Sequence, residues 1–255
     1  MKLRAGVVLF ILLAKAAAWA ASAEESLYRR AVANVIGARF EASGTLEVAQ
    51  GKQVKVVLRH VVSDGRRTWI EAIQPAELRG QRWLIVDRDG GPDKIWHFDP
   101  KTRKVAELPE EQWRQPWLGS NLVLADLLLP DADGYTFELG GEENVGGETF
   151  TVIRLAPKQK EKDRYGVRVY SIDPRTPRLA RGLFFDQQGR AVARWVVERT
   201  EQRGSEWFPA QQRFIDLATQ KSSVFTLVDF KYGAPTGTQE FEPSGLSASP
   251  TPRKQ

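Results

Sequence analysis

Apolar and polar positions along this chain follow two rhythms. Between Glu24 and Phe40, Leu27, Ala31, Val32, Val35 and Ile36 recur at helical spacing. Glu24 and Glu25 stand in the first turn, where a helix dipole favours acids, and Gly37 is a natural stop. From Gly44 the period drops to two. The run Gly44–Ala49 turns at Gln50-Gly51-Lys52 into 53–62, where Val54, Val56, Leu58, His60 and Val62 share one face while Lys55 and Arg59 take the other.

The same alternation predicts strands over 68–73, 81–86, 94–98 and 104–107. After a long central loop it resumes over 135–139, 150–155, 165–172, 179–186, 191–203, 209–217 and 223–232. Turn residues punctuate the runs: Ser63-Asp64-Gly65, Asp99-Pro100, Val145-Gly146-Gly147, Asp173-Pro174, Gln188-Gly189 and Arg203-Gly204. Only one further helix is expected, Ser120–Leu128 in the central loop. Parallel strands would need crossover helices, for which the connections leave no room. The pattern therefore predicts a mainly β protein: one antiparallel sheet that curls on itself around one or two short helices.

Such a sheet has a concave apolar interior, either packed solid or open to a ligand. The residues expected to line it are Val56, Leu58, Leu84, Val86, Trp96 and Phe98 from the early strands, with Phe184 and Trp195 from the later ones. The central loop adds Trp113, Trp117, Leu118 and Leu122, with Trp113 and Trp117 on either side of Pro116. Loops rarely carry this much apolar area without a use, so this one either plugs the open side or forms the lip of a pocket.

The N-terminus bears on where this domain is expected to reside. Lys2 and Arg4, the apolar run Gly6–Ala14 and the small residues Ala21-Ser22-Ala23 read as a secretory signal over residues 1–23, cleaved near Ala23. Lys15 leaves that run far short of the roughly 20 residues a membrane span needs. With no Cys anywhere, lipid anchoring after the signal is excluded and no disulfide braces the fold. The formal charge is +5 over the whole chain, of which Lys2, Arg4 and Lys15 contribute three, leaving +2 with the signs interspersed. No basic block exists, which argues against nucleic-acid binding. Residues 24–242 suffice for a single β domain, and 243–255, rich in Pro and Ser, is expected to be disordered.

Catalytic signatures are missing. His60 is in phase with Val56 and Leu58 and reads as an interior residue, while His97 faces away from Trp96 and Phe98 and is expected to be exposed. Neither has a neighbour that would orient it as a base. No nucleophile elbow, Walker loop or dinucleotide loop occurs, and without Cys a zinc site has too few ligands. The run Asp87-Arg88-Asp89-Gly90-Gly91 lacks the glycine and closing acid of a calcium loop and reads as a turn. No enzyme activity, metal or cofactor is expected.

The order of these turns resembles that of the outer-membrane lipoprotein-sorting family, the LolA-like periplasmic carriers. The resemblance rests on Gly65-Arg66-Arg67-Thr68, Gln74-Pro75-Ala76-Glu77-Leu78-Arg79-Gly80 and Ile95-Trp96-His97-Phe98-Asp99-Pro100. It continues in Trp117-Leu118-Gly119-Ser120-Asn121 before Ala125-Asp126-Leu127-Leu128, and in Phe184-Phe185-Asp186-Gln187-Gln188-Gly189. It implies a half-open antiparallel barrel that shelters lipid or lipoprotein acyl chains, loaded by an inner-membrane transporter of the resistance-nodulation-division type. The protein would then be a soluble, monomeric periplasmic carrier. The alternative is an envelope sensor that binds a regulatory partner without moving lipid. One departure falls in the loop, where relatives often carry an acid after Gly-Ser and this chain has Asn121.

Overall fold

The computed structural model describes residues 21–36, 39–49, 54–63, 66–88, 92–160, 163–204, 206–233 and 241–248. Residues 1–20 of the expected signal, the turn residues 89–91 and the tail from 249 onward lie outside them. Helix α1 (Ala23–Ile36) opens with Ser22, whose hydroxyl accepts from the Glu25 amide at 3.1 Å as an N-cap. Its buried stripe is Leu27, Tyr28 and Ala31.

The strands follow the predicted alternation: β1 (Phe40–Ala49), β2 (Val54–Ser63), β3 (Arg67–Gln74), β4 (Arg82–Val86), β5 (Lys94–Asp99) and β6 (Lys104–Glu107) precede the central loop. After it come β7 (Tyr135–Val145), β8 (Glu148–Pro157), β9 (Val167–Asp173), β10 (Arg178–Phe185), β11 (Ala191–Arg203), β12 (Glu206–Asp216) and β13 (Ser222–Tyr232). They form one sheet of 13 strands in the order β6-β5-β4-β3-β2-β1-β13-β12-β11-β10-β9-β8-β7. Neighbours pair antiparallel throughout, and β1 against β13 is the one pairing between strands distant in sequence. Strand β7 runs past Leu139 through a bulge at Gly141, whose φ of +101° suits glycine.

This order positions the site. Strands β6 and β7 are consecutive in sequence yet occupy opposite edges of the sheet. The chain between them must therefore cross the mouth of the curled sheet, which makes residues 108–134 a plug. The plug holds a short helix α2 (Glu110–Trp113) and 3₁₀ turns at Trp117–Gly119, Leu124–Leu127 and Ala132–Gly134. The expected helix Ser120–Leu128 is not formed. Val123 is extended, at φ −114° and ψ 153°, and bridges Pro116, so only Leu124–Leu127 winds into a turn. Helix α1 packs on the concave side against β7, β9, β10 and β12.

The disorder expected over 243–255 is corrected for residues 243–248. Pro243–Ser247 forms a 3₁₀ helix on the convex face, with Phe241 and Leu246 buried. Arg82 fastens it, donating from Nη1 to the carbonyls of Leu246 at 2.8 Å and Ala248 at 2.7 Å. A composition argument counts bulky residues but does not register that the one leucine of this stretch, Leu246, meets a matching apolar patch. The boundary drawn at residue 242 thus falls inside a packed segment.

Candidate functional site

Strands β3 to β5 are apolar on both faces, and this divides the expected lining residues. Val56, Leu58, Trp113, Trp117, Leu122, Phe184 and Trp195 join the interior cluster, with Leu118 packed against it. Leu84 and Phe98 instead lie on the convex side with Trp69, Phe241 and Leu246, and Val86 and Trp96 pack there as well. The reason is the pleat: Trp83 and Ile85 of β4 and Ile95 of β5 point inward, so their neighbours point outward.

The loop acts as a plug. Trp113 donates its indole N–H to the Leu108 carbonyl at 2.8 Å, and Trp117 meets Trp83 edge-on at 5.2 Å between ring centroids. Ser120 closes the turn by donating to the Trp117 carbonyl at 2.6 Å, and Asn121 ties the plug to β13 through the Ser223 hydroxyl at 2.9 Å. Leu118 takes a left-handed φ of +53°, a conformation side chains other than glycine adopt only under constraint. His97 is not exposed as expected. It is half-buried, stacked on Trp83 at 5.1 Å, with Nε2 3.3 Å from Gln81 Oε1, and burial lowers its pKa. The side chain of His60 lies outside the described residues.

Among the described residues, two cavities lie beneath the plug. The first, about 110 Å³, lies among Val35 of α1, Ile85 of β4, the plug leucines Leu127 to Leu129, and Phe208 and Phe225 of β12 and β13. Arg66 and Asp87, an ion pair at 3.4 Å, also line it. The second, about 90 Å³, is lined by Asn121, Arg164, Phe184, Arg194, Phe214 and Asp216, among others. Of the expected lining residues only Phe184 reaches either cavity, and the other interior ones are packed core. The leucine run was visible in the sequence but has no period to assign it a face.

Asp126 lines both cavities. Its carboxylate accepts from the Tyr165 hydroxyl at 3.3 Å and from Arg164 Nη1 at 3.3 Å. Burial raises its pKa, opposed by the Arg164 and Arg168 guanidiniums. Arg168, also inward on β9, donates to Asp163 at 2.9 Å and lies 4.8 Å over the Tyr165 ring, a cation held by an acid and by aromatic faces. Tyr135 donates to the same Asp163, and burial pushes the Tyr135 hydroxyl pKa up. Tyr28 of α1 donates to the Pro130 carbonyl at 2.8 Å and so pins the plug's end to the helix. Asp126 stood in the sequence as a lone acid in a leucine-rich run, the one signal that could have drawn attention to it. Among the described residues no group of three or more His, Cys, Asp or Glu could hold a metal, and no helix is long and apolar enough to cross a membrane.

A family described as "uncharacterized protein"-like matches residues 64–248. No curated protein matches the chain. Among solved structures, a domain from Vibrio parahaemolyticus assigned to outer membrane lipoprotein sorting is similar, with a TM-score of 0.79 at 18% identity over 88% of this chain and 98% of that one. A DUF1329 family protein from Desulfovibrio piger has a TM-score of 0.77 at 22% identity, again over 88% and 98%. A LolA superfamily protein from Nitrosomonas europaea has 0.68 at 18% identity, over 86% and 97%.

Proposed function

The chain belongs to the family matched over residues 64–248 and has the fold of the outer membrane lipoprotein-sorting, LolA-like proteins, and from that premise we propose that it is a periplasmic carrier of lipid or lipidated protein. The observation that carries this reading is the first cavity, whose walls are mostly apolar with Arg66, Asp87 and Asp126 among them, and over which Leu127, Leu128 and Leu129 of the plug lie. Burying an acyl chain is worth about 0.8 kcal/mol per methylene, so a chain of about 16 carbons gains on the order of 12 kcal/mol. That is ample to hold cargo while it crosses water. At about 110 Å³ the cavity is smaller than the roughly 300–1,000 Å³ of an ordinary ligand pocket, so loading requires the plug leucines to move outward.

The leader over residues 1–23 would take the chain across the inner membrane. The sequence carries no nucleotide-binding motif, so the free energy of loading must come from elsewhere, and an inner-membrane transporter of the resistance-nodulation-division type is the proposed donor. Native mass spectrometry of protein taken from the periplasm, with lipid extraction, tests the reading. Bound lipid is expected in the wild type and a marked loss in Leu128→Asp, which places a charge in the apolar cavity. Wild-type protein that emerges lipid-free and takes up none from vesicles would sink it.

A further inference from the structure

On the convex side of the late strands lies a groove of about 230 Å³, larger than either interior cavity and with no residue of α1 or the plug in its walls. The strand register places its side chains in two neighbouring rows. Arg194 of β11 stands opposite Leu183 of β10 and then Val169 of β9, and the row continues to Arg154 of β8 and Glu138 of β7. The second row runs from Arg213 of β12 through Val196, Arg181 and Ser171 to Val152. Ile153, Tyr170 and Trp195, each one residue away on these strands, belong to the interior cluster, so both rows face outward.

Three of the four cations in these rows already hold an acid. Arg154 lies 3.7 Å from Glu138, and Arg213 donates to Glu198 at 2.5 Å. Arg181 donates to both carboxylate oxygens of Glu143, which also accepts from the buried Ser171 hydroxyl. Burial works against that carboxylate, yet the bonds from Arg181 and Ser171 hold its pKa below the ordinary value. Arg194 is the exception. It is exposed and, among the described residues, has no acid paired to it. Beside it Leu183, Val169 and Val152 form a half-buried apolar floor. One carboxylate therefore completes the charge pattern of this face. A membrane surface or a nucleic acid presents many phosphates and needs several unpaired cations, which the two rows lack.

We propose that this groove docks an extended segment of a partner protein, with one Asp or Glu side chain on Arg194 and an apolar side chain two residues further along on Leu183 and Val169. Neighbouring strands are about 4.8 Å apart, so Leu183 and Val169 stand about 5 and 10 Å from Arg194 along their row. Alternate side chains of an extended chain laid across the strands are about 6.6 Å apart and fall between those two floor residues. The planar guanidinium suits the carboxylate, which it can bind through two parallel N–H bonds. The groove lies across the sheet from both interior cavities, so this docking is independent of whether the interior carries lipid.

The test follows the backbone amides of the protein by NMR during titration with the acetylated, amidated peptide Ser-Glu-Ser-Leu-Ser and with versions carrying Gln or Lys in place of Glu. Amide shifts are expected to move at Val169, Leu183 and Arg194. The Glu peptide should bind about fivefold tighter than the Gln peptide, the upper worth of one exposed charge pair, and the Lys peptide should be weakest. That preference should vanish in Arg194→Gln and persist in Arg190→Gln, which alters an exposed arginine outside the groove. Folded wild type that binds none of the peptides, or binds the Glu and Gln peptides equally, overturns the inference. So does a preference that survives Arg194→Gln or is lost equally in Arg190→Gln. Cosedimentation with phosphatidylglycerol vesicles that depends on Arg194 replaces the partner segment with a membrane surface.

Discussion

Strands β3, β4 and β5 carry two apolar surfaces back to back, and the two have different fates. On the concave side Ile70, Trp83, Ile85 and Ile95 join one interior cluster with residues of α1 and the plug; on the convex side Trp69, Leu84 and Phe98 cluster with Phe241 and Leu246. Both are covered by chain from far away in sequence. The convex patch is sealed by one short segment, and its buried cation Arg82 is fully engaged by Glu71 at 3.0 Å and two main-chain carbonyls. The patch side chains of β3 to β5 line neither interior cavity, whereas the concave side keeps two, with Asp126 between them. Apolar area alone therefore does not mark a binding surface. What marks it here is space left over beneath the plug.

Four measurements would break or sharpen that contrast. The largest effect is expected from Trp83→Ala on the concave side, which empties the contacts to Trp117 and His97. Truncating a buried Trp costs about 3–5 kcal/mol, read as a lower urea midpoint. Leu246→Ala on the convex side should cost about 2–4 kcal/mol, as for other fully buried leucines, and leave lipid uptake unchanged. If it instead abolishes uptake as Leu128→Asp does, the two faces are not independent. Third, Asp126→Asn removes a charge whose pKa burial raises. A raised carboxylate contributes stability that is present below the ordinary value of 3.8 and lost as pH rises through the folded value. The variant should therefore lose less stability than the wild type between acid and neutral pH in thermal melts.

The smallest effect belongs to His97. Burial lowers its pKa, so its contribution is complete above the ordinary value of 6.5 and is lost as pH falls through the folded value. A shallower decline in melting temperature on acidification is expected for His97→Gln. An unchanged decline would mean that the stacked imidazole is not what titrates.

Much of the architecture was legible in the residues themselves. The period-two runs located the strands, and the long gap between Glu107 and Tyr135 marked the plug, because turn chemistry and alternation are local properties. The site was far less legible. Val86 and Trp96 were expected to line the interior and lie outside it, while Phe208 and Phe225, which line a cavity, were not singled out, since a strand apolar on both faces has no phase from which its inner side can be read. Leu127 and Leu128 stood at the end of an expected helix that does not form, so their inward placement was not readable, and Asp126 gained its importance only from where Tyr165 and Arg164 came to lie.

The sequence by itself determined a mainly antiparallel β fold, led by a helix and interrupted by an apolar loop, because side-chain alternation and backbone turn preferences act between near neighbours. The tertiary structure alone decided which face of β3 to β5 is inside, which distant segment covers each face, and where space remains. Those outcomes depend on contacts between residues a hundred or more positions apart, such as Tyr28 with Pro130 and Arg82 with Leu246. Only the curl of the complete sheet brings such residues together.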